Sequence, residues 1–326
     1  MTERILDFSD EPARLSARNG LLVVSRTDKP DVTVPLAEIA VVVASHPQVS
    51  LSLAVLAGLA ENKAMLVACD AKRLPASMTL PIAVHFAQGD IFEAQARASQ
   101  PTRKRLWKRV VRAKLRAQAA LLAAFEKGSG SAPSAVPEPL SLERAATAIL
   151  ALLPEVTSGD RMNIEAQAAR KYWGALTAAK LLTDGFSRDA DGEWPNPLFN
   201  YGYAVLRAIV ARALCACGLH PSFGLHHHNK YDAFRLADDL MEPFRPIVDR
   251  AALLWLSRFP DKKELDRASK QHMAGALLER LVCEEESRTL FDVAARLSQR
   301  LAKVLIGERQ VAYFKVPEVA YAGAGG

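Results

Sequence analysis

The sequence predicts an α+β protein, with a small N-terminal β-rich domain followed by a larger all-helical one. Three observations carry that expectation. Short β-branched runs bounded by turn residues fill the stretch before residue 72. From about Val84 onward, alanine and leucine dominate and apolar residues recur at helical spacing. The 326 residues, half of them hydrophobic, are enough for two ordinary domains with buried cores. The implied bounds are a β-rich domain over 1–72, a linker over 73–83, a helical domain over 84–310 and a flexible tail over 311–326.

Taken in order, Leu21–Val24 and Asp31–Val34 flank the turn-forming stretch Arg26–Pro30 and read as a hairpin. Ile39–Ala44 is a short β-branched run suited to a buried strand. Between Val49 and Glu61 the period changes: Leu51, Val55 and Leu59, and likewise Leu53, Leu56 and Ala60, recur at helical spacing. Met65–Cys69 reads as a further strand, and Asp70–Pro81, which contains two prolines, as a connector. Downstream, the Gly/Ser/Pro cluster Gly128–Pro139 buries too little to order itself and is expected to be a mobile loop. Asp184–Phe199 is a second break. Helices are expected over 200–217, 232–243, 246–258 and 265–305, and Ala320–Gly326 is expected to fray.

Net charge is +6 and the isoelectric point about 9.2, a modest excess that alone is a weak sign of a polyanionic partner. No uncharged apolar stretch reaches the ~18 residues of a membrane span. Residues 1–20 carry charges and no apolar run, so no signal peptide and a cytoplasmic location are expected. Cys69, Cys215, Cys217 and Cys283 form no CxxC pair, which argues against a zinc ribbon or dithiol centre and for inert thiols in a reducing compartment.

Residues 94–125 contain no Asp or Glu. Placed on a helix, Arg105, Lys108, Arg109, Arg112 and Arg116 share one face. Such a stripe matches phosphates along double-stranded DNA; the alternative is an ordinary solvated face, and the total lack of acid favours nucleic acid. Trp107, among these charges, is expected to pack rather than to stack on bases.

Three segments offer metal-binding chemistry. Glu165 falls in the first turn of a helix for which Asp160 or Asn163 serves as cap, with Ala169 and Tyr172 on its face. His226, His227 and His228 are consecutive; on a helix they would diverge by ~100° each, so only one or two could face one metal. Asp239 and Glu242 share a face at i,i+3, with Asp238 and Glu242 as the alternative pair, and Pro243 puts Glu242 at a helix end or kink. A first-turn acid also suits the helix dipole, and an acidic pair also suits a solvated patch. A carboxylate–imidazole–carboxylate set suits Mg²⁺ or Mn²⁺, whereas three histidines would suit Zn²⁺. A metal on a cationic protein points to phosphodiester chemistry.

At these residues the sequence resembles the universal CRISPR-associated integrase family in its type II branch. Arg105–Gln118 resembles the family's basic helix, Gly159–Ala169 the segment with its first metal-binding Glu, and Asn196–Leu206 its Asn-Tyr-Gly-Tyr helix. Gly224–His227 and Asp239–Pro246 resemble its His and acidic motifs. The resemblance implies metal ligands Glu165, His227 and Glu242, with Asp239 as an additional acidic position. It implies a dimerising N-terminal β domain and a helical catalytic domain. It also implies a small CRISPR-associated adaptation protein as partner dimer, with the type II effector nuclease joining. The implied reaction is attack of a DNA 3′-hydroxyl on a repeat-border phosphodiester. A stand-alone metal-dependent nuclease or junction resolvase, or a DNA-binding scaffold with a structural metal, are the alternatives.

Overall fold

The computed structural model describes residues 3–69, 75–79, 81, 85–128, 141–189, 191–283 and 285–321. Its N-terminal region holds β1 (Arg4–Phe8), β2 (Arg14–Arg18), β3 (Leu21–Arg26), β4 (Lys29–Pro35), β5 (Ile39–Ala44), β6 (Ser50–Leu51), α1 (Leu53–Glu61), β7 (Met65–Cys69) and β8 (Pro75–Met78). One sheet has the order β4-β3-β2-β6 and another β1-β5-β7-β8. The predicted hairpin is the antiparallel β3–β4 pair. Arg26 lies opposite Lys29, and Asp28 in the tight turn between them sits at φ 58°, the left-handed backbone such turns use. β1, β5 and β7 run parallel, so α1 is the crossover that returns the chain from β5 to β7.

β5 and β7 join the two halves of the molecule. Val41, Val43, Met65 and Val67 belong to the helical core, whereas Ile39, Val42 and Leu66 pack with Leu15, Leu22 and Leu59 in an N-terminal cluster. A strand buried on both faces has no polar side to alternate with, hence the unbroken Ile-Ala-Val-Val-Val-Ala run. The predicted connector is corrected here: residues 75–78 form β8, antiparallel to β7. Pro75 takes the first position of an edge strand, where proline is tolerated. The predicted linker over 73–83 therefore contains part of the sheet, and its other residues are mostly outside the described ones.

The larger part contains α2 (Gln88–Arg97), α3 (Gln100–Gly128), α4 (Leu142–Leu150), α5 (Ile164–Ala178), α6 (Asn196–Ala216), α7 (Arg235–Met241), α8 (Arg245–Arg258), α9 (Arg267–Ala276), β9 (Arg280–Cys283), β10 (Glu286–Thr289), α10 (Leu290–Leu305) and β11 (Val319–Ala320). α6 is buried nearly all round, as its apolar composition on every face requires. At Gly202 an added Cβ would stand 2.5 Å from Val248 Cγ1 and 2.7 Å from Met273 Cε, so glycine lets α8 and α9 close on α6. Among the described residues no helix is long and apolar enough to cross a membrane. Burial pushes the Cys215 and Cys217 thiols up to about 12 and about 11, which keeps them protonated and inert.

Two further expectations change. The predicted helix over 265–305 is interrupted by the β9–β10 hairpin. Leu281 and Cys283 are buried while Val282 is exposed, a period of two too short to stand out against helical flanks. The predicted flexible tail over 311–326 is docked as far as Tyr321: Phe314 and Val319 are buried, and β11 adds a third strand beside β9. The small residues at the end obscured these two anchors. The predicted mobile loop over 128–139 lies, past Gly128, outside the described residues.

Candidate metal centre

The inner face of α3 is the floor of the site. Trp107 and Lys114, two turns apart, both point away from the arginine stripe and into the protein. Trp107 is 1% exposed, so it packs as predicted.

Glu165 is delivered by the start of α5. Of the two predicted caps, Asp160 does the work: its Oδ1 accepts from the Ile164 amide at 2.9 Å and its Oδ2 from the Glu165 amide at 3.0 Å. Asn163 sits at φ 51° and makes no side-chain cap bond. Tyr172 faces the interior, where its hydroxyl and that of Tyr203 both donate to Asp249. Glu242 opens the 3₁₀ turn Glu242–Phe244 that follows α7, the predicted break ahead of Pro243.

These two carboxylates meet at one cation, Lys114. Its Nζ lies 2.6 Å from Glu165 Oε1 and 2.5 Å from Glu242 Oε2. Glu242 Oε2 nonetheless lacks the angular alignment of a hydrogen bond and is a buried oxygen without a satisfied partner. Arg245 Nε sits 2.9 Å from the other oxygen of Glu242. Burial pushes the Glu242 carboxyl up, but Arg245 and Lys114 outweigh it and hold the group below its ordinary value. Burial likewise pulls the Lys114 ammonium down, and Glu242 and Glu165 more than offset it. Both groups are therefore charged.

The histidines are not helical. No regular element is assigned between α6 and α7, and the loop there is gathered by one carboxylate. Asp239, fully buried, accepts from the amides of Leu225 (2.5 Å), His226 (3.0 Å) and His227 (3.3 Å) and lies 2.6 Å from His227 Nδ1. A carboxylate only accepts, so Nδ1 carries a proton, and in the neutral form of the ring the lone pair sits on Nε2. The Asp239 hydrogen bond raises the His227 pKa, with burial opposing it. Gly224 permits this turn: a Cβ there would stand 2.8 Å from the His227 carbonyl oxygen and 2.9 Å from Arg235 Cβ. His226 stacks on Trp107 with ring centroids 4.5 Å apart and planes 2° from parallel, and His228 is exposed. The alternative pair of Asp238 with Glu242 is not formed, because Asp238 is held by Arg207 on α6 at 2.6 and 2.8 Å.

Asp239 is thus a holder of the histidine loop. The donor set that remains, Glu165, Glu242 and the free Nε2 of His227, fits a hard divalent ion in chemistry. As the chain is folded around Lys114, however, no three His, Cys, Asp or Glu side chains among the described residues are close enough to hold one. Sequence reasoning missed Lys114 and Arg245. In the sequence Lys114 is one more cation of the acid-free segment, with no local mark of its inward direction.

The cationic stripe borders a cleft of about 1260 Å³. Arg105, Lys108, Arg109, Arg112 and Arg116 line one wall, and Arg309 and Lys315 from the C-terminal segment line the other. Not all of these cations are available. Arg112 donates to the Leu153 carbonyl at 2.9 Å and Arg116 pairs with Glu318 at 3.0 Å. Lys108 and Arg109 have no partner among the described residues.

Residues 8–278 match the family described as CRISPR associated protein Cas1. The chain belongs to the Cas1 family. A CRISPR-associated endonuclease Cas1 of Neisseria meningitidis serogroup C is 34% identical over 289 residues, spanning 88% of this chain and 87% of that protein. Two solved structures share the Cas1-type fold at low identity. A casposase bound to integration product has TM-score 0.76 at 19% identity, covering 95% of this chain and 92% of its own. A chain from a Cas6-RT-Cas1–Cas2 complex has TM-score 0.76 at 17% identity, covering 97% of this chain and 36% of its own.

Proposed function

We propose that this Cas1-family chain is a metal-dependent DNA integrase and endonuclease of CRISPR adaptation. It joins a 3′-hydroxyl of incoming DNA to a repeat-border phosphodiester. One observation carries the reading: two carboxylates from distant elements converge on a single cation position, on the inner face of the helix whose outer face is the cationic stripe. Glu165, His227 and Glu242 would hold Mg²⁺ or Mn²⁺. When bound, the ion supplies charge neutralisation at the phosphate oxygens and activation of the attacking oxygen. The chain's own residues do the rest. Asp239 fixes the His227 tautomer and ring direction, Asp160 anchors the helix start under Glu165, and Lys108, Arg109 and Arg105 bind phosphates ahead of the site.

The endonuclease name of the Neisseria relative and the integration product in the casposase structure support this reading. The Cas2-containing complex supports a small adaptation protein as partner. By the same resemblance the chain works as a homodimer and, in a type II system, with its effector nuclease.

The test is strand transfer by the purified protein with its small partner, a labelled 3′-ended DNA and a supercoiled repeat plasmid. Joined product that disappears in Glu165→Ala and Glu242→Ala is expected. Cleavage to water alone would favour a stand-alone nuclease or resolvase. Full joining by Glu165→Ala would leave a scaffold with a structural metal.

A further inference from the structure

The proposed metal site already contains a cation of its own. Two carboxylates, Glu165 and Glu242, are matched by two cations, Lys114 and Arg245, so the cluster balances without any ion. Lys114 is the member that stands between the carboxylates. Its side chain is 13% exposed, and its nitrogen lies 2.6 and 2.5 Å from oxygens that belong to α5 and to the turn after α7. An ion ligated by those same oxygens at roughly 2.0–2.2 Å would need the space the nitrogen fills. The two cannot share both oxygens.

The geometry points to Lys114 as a resident counterion that the metal displaces. It holds Glu165 and Glu242 together in the metal-free chain and must swing out when they take up the divalent ion. α3 is packed along its length and carries Trp107 on the same face, so its backbone stays in place while the flexible four-carbon stem moves. The inference rests on the metal reading of this site and adds a cost to metal loading that the ligands alone do not reveal.

Lys114→Met keeps the stem and removes the charge. Mn²⁺ binding to the full-length protein is followed through the spin-resonance signal of free Mn²⁺, and thermal midpoints are read with and without the ion, in the absence of DNA. Lys114→Met should bind Mn²⁺ about tenfold or more tighter than wild type, since the ion no longer breaks a charge-assisted bridge. Without metal it should melt below wild type, and saturating Mn²⁺ should close that gap. Lys114→Arg, which keeps the charge, should bind no tighter than wild type, and Lys114→Gln replaces the methionine variant if that variant fails to fold. Equal affinities, or a melting gap that persists at saturating Mn²⁺, would overturn the displacement and make Lys114 a permanent strut. If wild type and Lys114→Met both bind no more Mn²⁺ than Glu165→Gln, the metal reading itself fails and the competition fails with it.

Discussion

Asp239 uses both carboxylate oxygens to hold three backbone amides and one ring nitrogen. Removing a partner that fixes a ligating imidazole typically costs about 10–100-fold in metal affinity, the loss expected for Asp239→Asn in a Mn²⁺ titration. Unchanged affinity would mean that the loop holds itself. The three histidines separate by environment. His227→Ala should remove strand transfer. His226→Ala should slow it by about three- to tenfold, the worth of one aromatic stack, and His228→Ala should leave it measurable. The family resemblance singles out His227 among the three, but the helical divergence expected to separate them does not apply. A shared buried carboxylate separates them instead, a tertiary fact with no local signature. Asp249 gives a residue-scale test of burial. Burial pushes its carboxyl up to about 6 from an ordinary 3.8, against the hydrogen bonds from Tyr203 and Tyr172, which pull it down. Between those two values the folded state holds a proton that the unfolded state has lost, so stability from this group falls as pH rises and levels off above about 6. The melting midpoint of wild type minus that of Asp249→Asn should therefore shrink from pH 4 to 6 and stay flat above. A difference that grows with pH would contradict the burial account.

At the scale of elements, α3 has two working faces. The outer stripe was legible because charge without acid over a long helix is a one-dimensional signal. Its division of labour was not, because Arg112 and Arg116 find their partners on Leu153 and Glu318, far away in the chain. Changing Arg105, Lys108 and Arg109 together to Ala should lower the slope of log K against log salt by roughly 3 units, at about 0.9 per phosphate contact. Arg112→Ala should also loosen the docking of the 153 segment, visible as a lower melting midpoint. An unchanged slope in the triple variant would make the stripe a solvated face. The inner face was harder to read: a lysine in a basic segment does not announce that it points the other way.

At the scale of the whole molecule, the β-rich then helical order was legible from the change in period. The boundary was not, because β5 and β7 are apolar on both faces and serve two clusters at once. The N-terminal region should therefore not unfold as a separate unit. Circular dichroism at strand-weighted and helix-weighted wavelengths should give one coincident denaturant transition; two separated transitions would contradict a shared core. The central claim, that Glu165, His227 and Glu242 form one ion site on this scaffold, is tested most directly by anomalous diffraction from a crystal soaked in Mn²⁺. A single strong peak bonded to both carboxylates and to His227 Nε2 is the expected result. A fully soaked crystal with no peak at these residues, or with the ion bound elsewhere, would contradict the claim.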